Sequence, residues 1–243
     1  MRDYKAEFEN RVAFLRETLK NSGAKGFIFG NSGGKDSALV GILCKAACEN
    51  TVGIIMPCSS KRNFGEDMDD GRAVADQFGI ETRVIDLTAE KELVMKTLGE
   101  HAELTDTAVS NIAPRLRMIT LYTIGQSEGR LVAGTGNRSE YYMGYFTKWG
   151  DGAYDVNPII DLTATEIFEF LAYLNAPGNI IKKAPSAGLF EGQTDEDDMG
   201  VTYKAIDTYI LTGEANEHDK AIIDRYHARS EHKRAGAAVF TKP

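Results

Sequence analysis

The chain has 243 residues, with 28 Lys and Arg against 36 Asp and Glu, a formal net charge of -8. At about 100–200 residues per domain, this length suits one domain over 1–243, large enough to bury a core without disulfides or a structural metal. A composition of 42% hydrophobic and 26% charged residues excludes disordered and fibrous classes, and the acidic balance argues against nucleic-acid backbone binding, which needs a basic footprint.

The first 20 residues place Phe8, Val12, Phe14, Leu15 and Leu19 at helical spacing, which predicts an amphipathic helix. They are charged throughout and lack the apolar stretch of a secretory signal. Gly26–Phe29 then reads as a short buried strand, and a helix follows from about Asp36 to Cys48. Val52–Met56, closed by Pro57, is a second strand; the next helix carries Met68, Val74, Ala75 and Phe78 on its apolar side. Thr82–Leu87 reads as a third strand, with a helix after Thr88 and a long one over Asp106–Glu128. Leu131–Gly134 is the fourth strand. A helix over Leu162–Leu174 begins at a capping box, Thr163-x-x-Glu166. Beyond Pro177 the pattern is loop and helix, ending in a basic helix near Arg225–Arg234.

Short apolar strands alternating with amphipathic helices predict a parallel α/β sheet with helices on both faces. No apolar run reaches the roughly 18 residues that mark a membrane helix, so no membrane association is expected. The three cysteines, Cys44, Cys48 and Cys58, are an odd number without metal-ligand spacing, and are read as reduced, packed side chains. Together these features predict a cytoplasmic protein.

The first strand-to-helix turn reads Gly30-Asn31-Ser32-Gly33-Gly34-Lys35-Asp36-Ser37. Glycines permit positive φ and let backbone N–H groups approach an anion, while the following helix directs its positive end at the same point. This is a phosphate cradle without the spacing of a Walker loop or a dinucleotide fingerprint. Ser-Gly-Gly-x-Asp-Ser after a first strand resembles the PP-loop of ATP pyrophosphatases.

Further blocks follow in order. They are Ala113-Pro114-Arg115-Leu116-Arg117-Met118, Gly134-Thr135-Gly136-Asn137-Arg138-Ser139-Glu140, Gly144–Asp151 with Asp155-Val156-Asn157-Pro158, Lys183–Ala187, Gln193–Glu196 and Glu231-His232-Lys233-Arg234. The series resembles the ammonia-dependent NAD synthetases from about Phe27 to Arg234. The resemblance implies a doubly wound, mainly parallel five-stranded sheet of the adenine nucleotide alpha hydrolase type. It implies a homodimer with deamido-NAD at the subunit interface. It also implies the reaction: the carboxylate of deamido-NAD attacks the α-phosphorus of ATP, pyrophosphate leaves, and free ammonia displaces AMP from the acyl-adenylate.

The same resemblance assigns roles by position. Gly30, Asn31, Ser32, Gly33, Gly34, Lys35, Asp36 and Ser37 would hold ATP, joined by Thr135 and Ser186. Asp36 and Glu140 would bind magnesium, because hard cations take oxygen ligands and bridge to phosphates. Arg115, Lys148, Asp155, His232 and Lys233 would contact deamido-NAD, with Arg117 as the neighbouring alternative to Arg115. Asp151 is the expected catalytic group, orienting ammonia and accepting its proton. Among the departures from the family pattern, two bear on charge and helix geometry near the site. Pro114 stands where Ala is usual and suggests a helix start there. Ala164 stands where a phosphate-binding Lys is usual, and Lys35 is expected to supply the charge instead.

Overall fold

A computed structural model describes residues 2–59, 64–182 and 194–240. A helix α1 (Tyr4–Ser22) precedes β1 (Gly26–Gly30), α2 (Lys35–Ala47), β2 (Thr51–Ile55), α3 (Glu66–Phe78), β3 (Glu81–Val84), α4 (Thr88–Gly99), α5 (Asp106–Ser110), α6 (Ile112–Glu128) and β4 (Arg130–Ala133). Then follow α7 (Arg138–Met143), α8 (Ala164–Tyr173), α9 (Gly178–Lys182), α10 (Asp195–Met199), α11 (Tyr203–Thr212), α12 (Glu217–Arg229) and α13 (Glu231–Arg234).

The strands form one parallel sheet in the order β3-β2-β1-β4. Period-2 alternation splits β1 between its two faces. Phe27 and Phe29 join a core with Leu15, Leu39, Leu43 and Phe170, while Ile28 joins Val52, Ile54 and Val132 beneath α6. Helices therefore cover both faces, as expected for parallel strands buried on each side. A third cluster, built on Met143, Met199, Tyr203, Ile206 and Ile223, packs α7, α10, α11 and α12 together.

Four strands are found among the described residues where five were expected. The fifth position is a single parallel bridge, Val156 beside Ala133. There the chain turns away within two residues into Pro158, which has no N–H to extend a ladder. The third strand is shorter than Thr82–Leu87 and ends at Val84, after which Ile85 and Leu87 donate only single backbone hydrogen bonds to Ile55 and Pro57. The long helix over Asp106–Glu128 is two helices that break at Asn111. Pro114 cannot donate to the carbonyl four residues back, so the α-helical ladder must restart just before it. Phe14, placed on the buried side of the first helix by its spacing, is about half exposed.

Helix α8 begins at the expected Thr163–Glu166 capping box. Its first turn has a second support that the local sequence does not announce. Asp207 of α11, 3% exposed, accepts from Ser139 Oγ at 2.5 Å, from Thr165 N at 2.8 Å and from Thr165 Oγ1 at 2.6 Å. Ser139 Oγ in turn accepts from Ala164 N at 3.0 Å. One buried carboxylate thus ties α7, α8 and α11 together. Asp207→Ala leaves these donors without an acceptor and is expected to lower unfolding stability by roughly 3 kcal/mol. Asp207→Asn, which retains one acceptor oxygen, is expected to lose less; urea denaturation measures both.

Candidate active site

The chain runs outward through β1, β2 and β3 and then returns to place β4 on the other side of β1. This reversal opens a crevice beyond the carboxyl ends of β1 and β4, the usual ligand position in such sheets. The register Phe29↔Ala133 brings the turn after β1 beside the turn after β4. A cavity of about 760 Å³ lies over them, walled by α6, the 144–153 loop and the last helices.

The first turn has the geometry of an anion cradle. Gly33 has φ +71°, and a Cβ there would lie 2.1 Å from the Asp67 carbonyl oxygen, so only glycine fits. Asn31 is buried and donates to the Gly71 carbonyl at 2.9 Å. Ser32 and Ser37 hydroxyls lie 3.1 Å apart across the loop. Gly30, Asn31, Ser32, Gly34, Lys35, Asp36 and Ser37 all line the cavity.

The second turn is locked to the first by Asn137, which is fully buried. Its Nδ2 donates to Asp36 Oδ1 at 2.9 Å, and its Oδ1 accepts from Glu140 N at 3.0 Å. Its own backbone N–H donates to Glu140 Oε2 at 3.1 Å, completing a capping box. Glu140 is therefore both a helix cap and a cavity residue. The two roles are not exclusive, because a carboxylate has several acceptor positions. The spacing Asn137-x-x-Glu140 announces the cap; the reach from Asn137 to Asp36 is a tertiary contact with no local signal. Thr135 also lines the cavity.

Around these turns the charges are dense. Lys35 Nζ lies 2.7 Å from Asp36 Oδ2. Burial alone would lower the Lys35 pKa, but the charges of Asp36 and Glu140 outweigh it and raise it. Burial, reinforced by the Asp36 charge, holds Glu140 well above the ordinary carboxylate range. This excess of negative charge, presented as carboxylate oxygen, suits a hard divalent cation. Among the described residues no three His, Cys, Asp or Glu side chains converge as a complete metal site. Two carboxylates with nucleotide phosphates are the usual magnesium arrangement, so Asp36 and Glu140 fit that ion.

Opposite the cradle, the loop 144–153 presents Asp151, whose Oδ1 accepts from Thr147 N at 2.9 Å. Its carboxylate opens to the cavity while protein crowds its other sides. The resulting desolvation raises its pKa, against the lowering effect of the Thr147 hydrogen bond and the charges of Lys233 and Arg117. Lys233 also lines the cavity, and its ammonium donates to the Gly144 and Phe146 carbonyls at 2.6 Å each. Lys148 mirrors it, donating to the His232 carbonyl at 2.6 Å. The two lysines staple the loop to α13.

The remaining expected substrate contacts do not line this cavity. Asp155 accepts from Val132 N at 2.8 Å and from Tyr122 Oη at 3.2 Å, so its oxygens brace β4. Arg115 is exposed on α6 and donates to the Lys148 carbonyl at 3.4 Å. Arg117, two residues on, is the arginine that faces the cavity, with Nε donating to the Met56 carbonyl at 3.2 Å. His232 is exposed. Ser186 lies outside the described residues. Arg225 and Arg229 of α12 line the cavity too; their spacing of four marks one helix face, but nothing in the local sequence aims that face at the cradle.

A glycine-rich anion cradle, two linked carboxylates and a further acid facing a roofed cavity fit an α/β enzyme that activates its substrate with ATP. Residues 7–239 match the model of the NAD synthase family. The chain is 46% identical over 235 residues to the NH(3)-dependent NAD(+) synthetase of Carboxydothermus hydrogenoformans, covering 96% of both. Among solved structures it resembles an NMN synthetase from Francisella tularensis, with a TM-score of 0.93 at 36% identity over 99% of both chains. It also resembles an NH3-dependent NAD synthetase from Campylobacter jejuni, with a TM-score of 0.80 at 29% identity over 99% of this chain and 100% of that one. The chain belongs to the NAD synthase family, a family of ligases.

A general base must be ionised to accept a proton, so for Asp151 in that role the raised pKa would move the requirement upward in pH. Activity at saturating ammonia is therefore expected to fall as pH drops through the raised Asp151 pKa. In Asp151→Asn, kcat is expected to fall by about 10²-fold or more and to lose this acid limb. A kcat–pH profile of both proteins measures it.

Proposed function

We propose that this cavity amidates deamido-NAD with ammonia at the expense of ATP, through an acyl-adenylate, releasing AMP and pyrophosphate. The observation that carries the reading is the Asp36–Asn137–Glu140 linkage, which holds both carboxylates at the mouth of the phosphate cradle. Backbone amides of Gly30–Ser37, the Ser32 and Ser37 hydroxyls and Lys35 take the phosphates, with Thr135 reaching in from the second turn. Asp36 and Glu140 would hold magnesium, which when bound would neutralise charge on the phosphates and the departing pyrophosphate. Arg117 meets the substrate's negative charge from α6. Asp151 orients ammonia toward the acyl carbon and accepts its proton as the C–N bond forms and AMP leaves. The roof formed by the 144–153 loop and the last helices keeps water from the reactive anhydride.

Lys148 and Lys233 serve the substrate through the loop they brace, and Asp155 through β4. The chain acts as a homodimer. Ile119 on α6, with Leu93 and Leu98 on α4, leaves apolar surface for a second copy, and Arg115 shares that exposed side of α6. There Arg115 and His232 would meet substrate bound between copies. No helix among the described residues is long and apolar enough to cross a membrane. The reaction's soluble substrates suit the cytoplasm.

The likeness to an NMN synthetase favours a second reading, in which the acceptor is the mononucleotide acid. Comparing kcat/KM for the two acceptors decides between them; the main reading requires the dinucleotide to be preferred. Asp36→Asn tests the site itself. Asn keeps an acceptor for Asn137 and is a weak metal ligand, so the fold is expected to persist while turnover falls roughly 10²-fold or more. Turnover and thermal melting of the variant measure the two effects separately.

A further inference from the structure

Both oxygens of Asp36 are engaged. Oδ1 accepts from Asn137 Nδ2 at 2.9 Å, and Oδ2 is paired with Lys35 Nζ at 2.7 Å. The two donors differ in freedom. Asn137 is fully buried, and its amide oxygen is committed to Glu140 N. Moving it would undo the start of α7. Lys35 has a four-carbon stem, and its ammonium is a point charge with no fixed fork. That ammonium is sheltered, with 5% side-chain exposure, and lies 5.3 Å from the Tyr203 ring centre and 5.7 Å from that of Phe168. Tyr203 Oη donates to Asp195 Oδ2 at 3.1 Å, so one of the two rings beside the ammonium is itself fixed from α10.

A divalent cation on Asp36 Oδ2 and an ammonium 2.7 Å from the same oxygen exclude each other by charge and by space. We infer that Lys35 is a resident counter-ion that keeps Asp36 from taking a divalent cation until nucleotide phosphate arrives and draws the ammonium away. Lys35 lines the cavity beside the cradle, so phosphate entering there offers its ammonium a new anionic partner within reach of the flexible stem. The exchange is balanced in charge: the ammonium passes from carboxylate to phosphate, and the metal takes the carboxylate. Metal and nucleotide binding are thereby coupled, and free magnesium does not occupy the site ahead of ATP. This rests on the reading of Asp36 as a metal ligand.

The test is Mn2+ binding followed by electron paramagnetic resonance on the full chain, with and without α,β-methylene-ATP. Lys35→Met and Lys35→Gln are compared with the parent, and circular dichroism checks that each is folded. Without nucleotide, at least one folded variant is expected to bind Mn2+ about tenfold or more tightly than the parent, and Asp36→Asn on that background is expected to abolish the gain. With the analogue, the difference is expected to shrink. Equal affinity of parent and folded variants without nucleotide overturns the inference, as does a gain that survives Asp36→Asn. Failure of the underlying reading looks different: Asp36→Asn alone would leave Mn2+ binding in the presence of the analogue unchanged.

Discussion

The site depends on one parallel pairing. Because β4 returns to the free side of β1 in the register Phe29↔Ala133, two turns far apart in sequence emerge side by side. The Asn137–Asp36 hydrogen bond closes across them. Without that bond each turn is an ordinary helix start, one glycine-rich and one capped by Asn137 and Glu140. With it, two carboxylates and an anion cradle share one crevice. The rest of the molecule serves this junction. Two apolar layers hold the strands in register, and the third cluster carries the C-terminal helices round to roof the cavity.

The roof is held in a different manner from the floor. Beneath the cavity, buried side chains fix the turns. Above it, Lys148 and Lys233 donate in opposite directions between the 144–151 loop and α13, each onto backbone carbonyls. Thr147 Oγ1 adds a hydrogen bond to Asn111 Oδ1, which ties the same loop to the start of α6. Asp151 belongs to this loop, and its link to Thr147 N fixes one oxygen.

Much of this was legible in the sequence. Alternation of apolar strands and amphipathic helices gave the parallel sheet, and Ser32–Ser37 gave the cradle, because both signals are local and periodic. The Thr163–Glu166 cap appeared where its spacing placed it. What local sequence did not show were features set by partners distant in the chain. Asp207 reads as an unremarkable acid within a helix, and its three donors come from α7 and α8. The resemblance places Arg115 ahead of Arg117 as the substrate contact; the rotation of α6 turns Arg117, not Arg115, into this cavity. The fifth strand dwindled to one bridge because Pro158 follows so closely.

The central claim is that the acceptor carboxylate is activated by direct attack on the α-phosphorus of ATP within this cavity. Deamido-NAD carrying heavy oxygen in its carboxylate tests it most directly, with the pure chain, ATP, magnesium and ammonium. One labelled oxygen should pass to the phosphate of AMP for each NAD formed, because the oxygen that bonds phosphorus leaves with AMP when ammonia attacks. Label found in inorganic phosphate or released to water, with none in AMP, would contradict it.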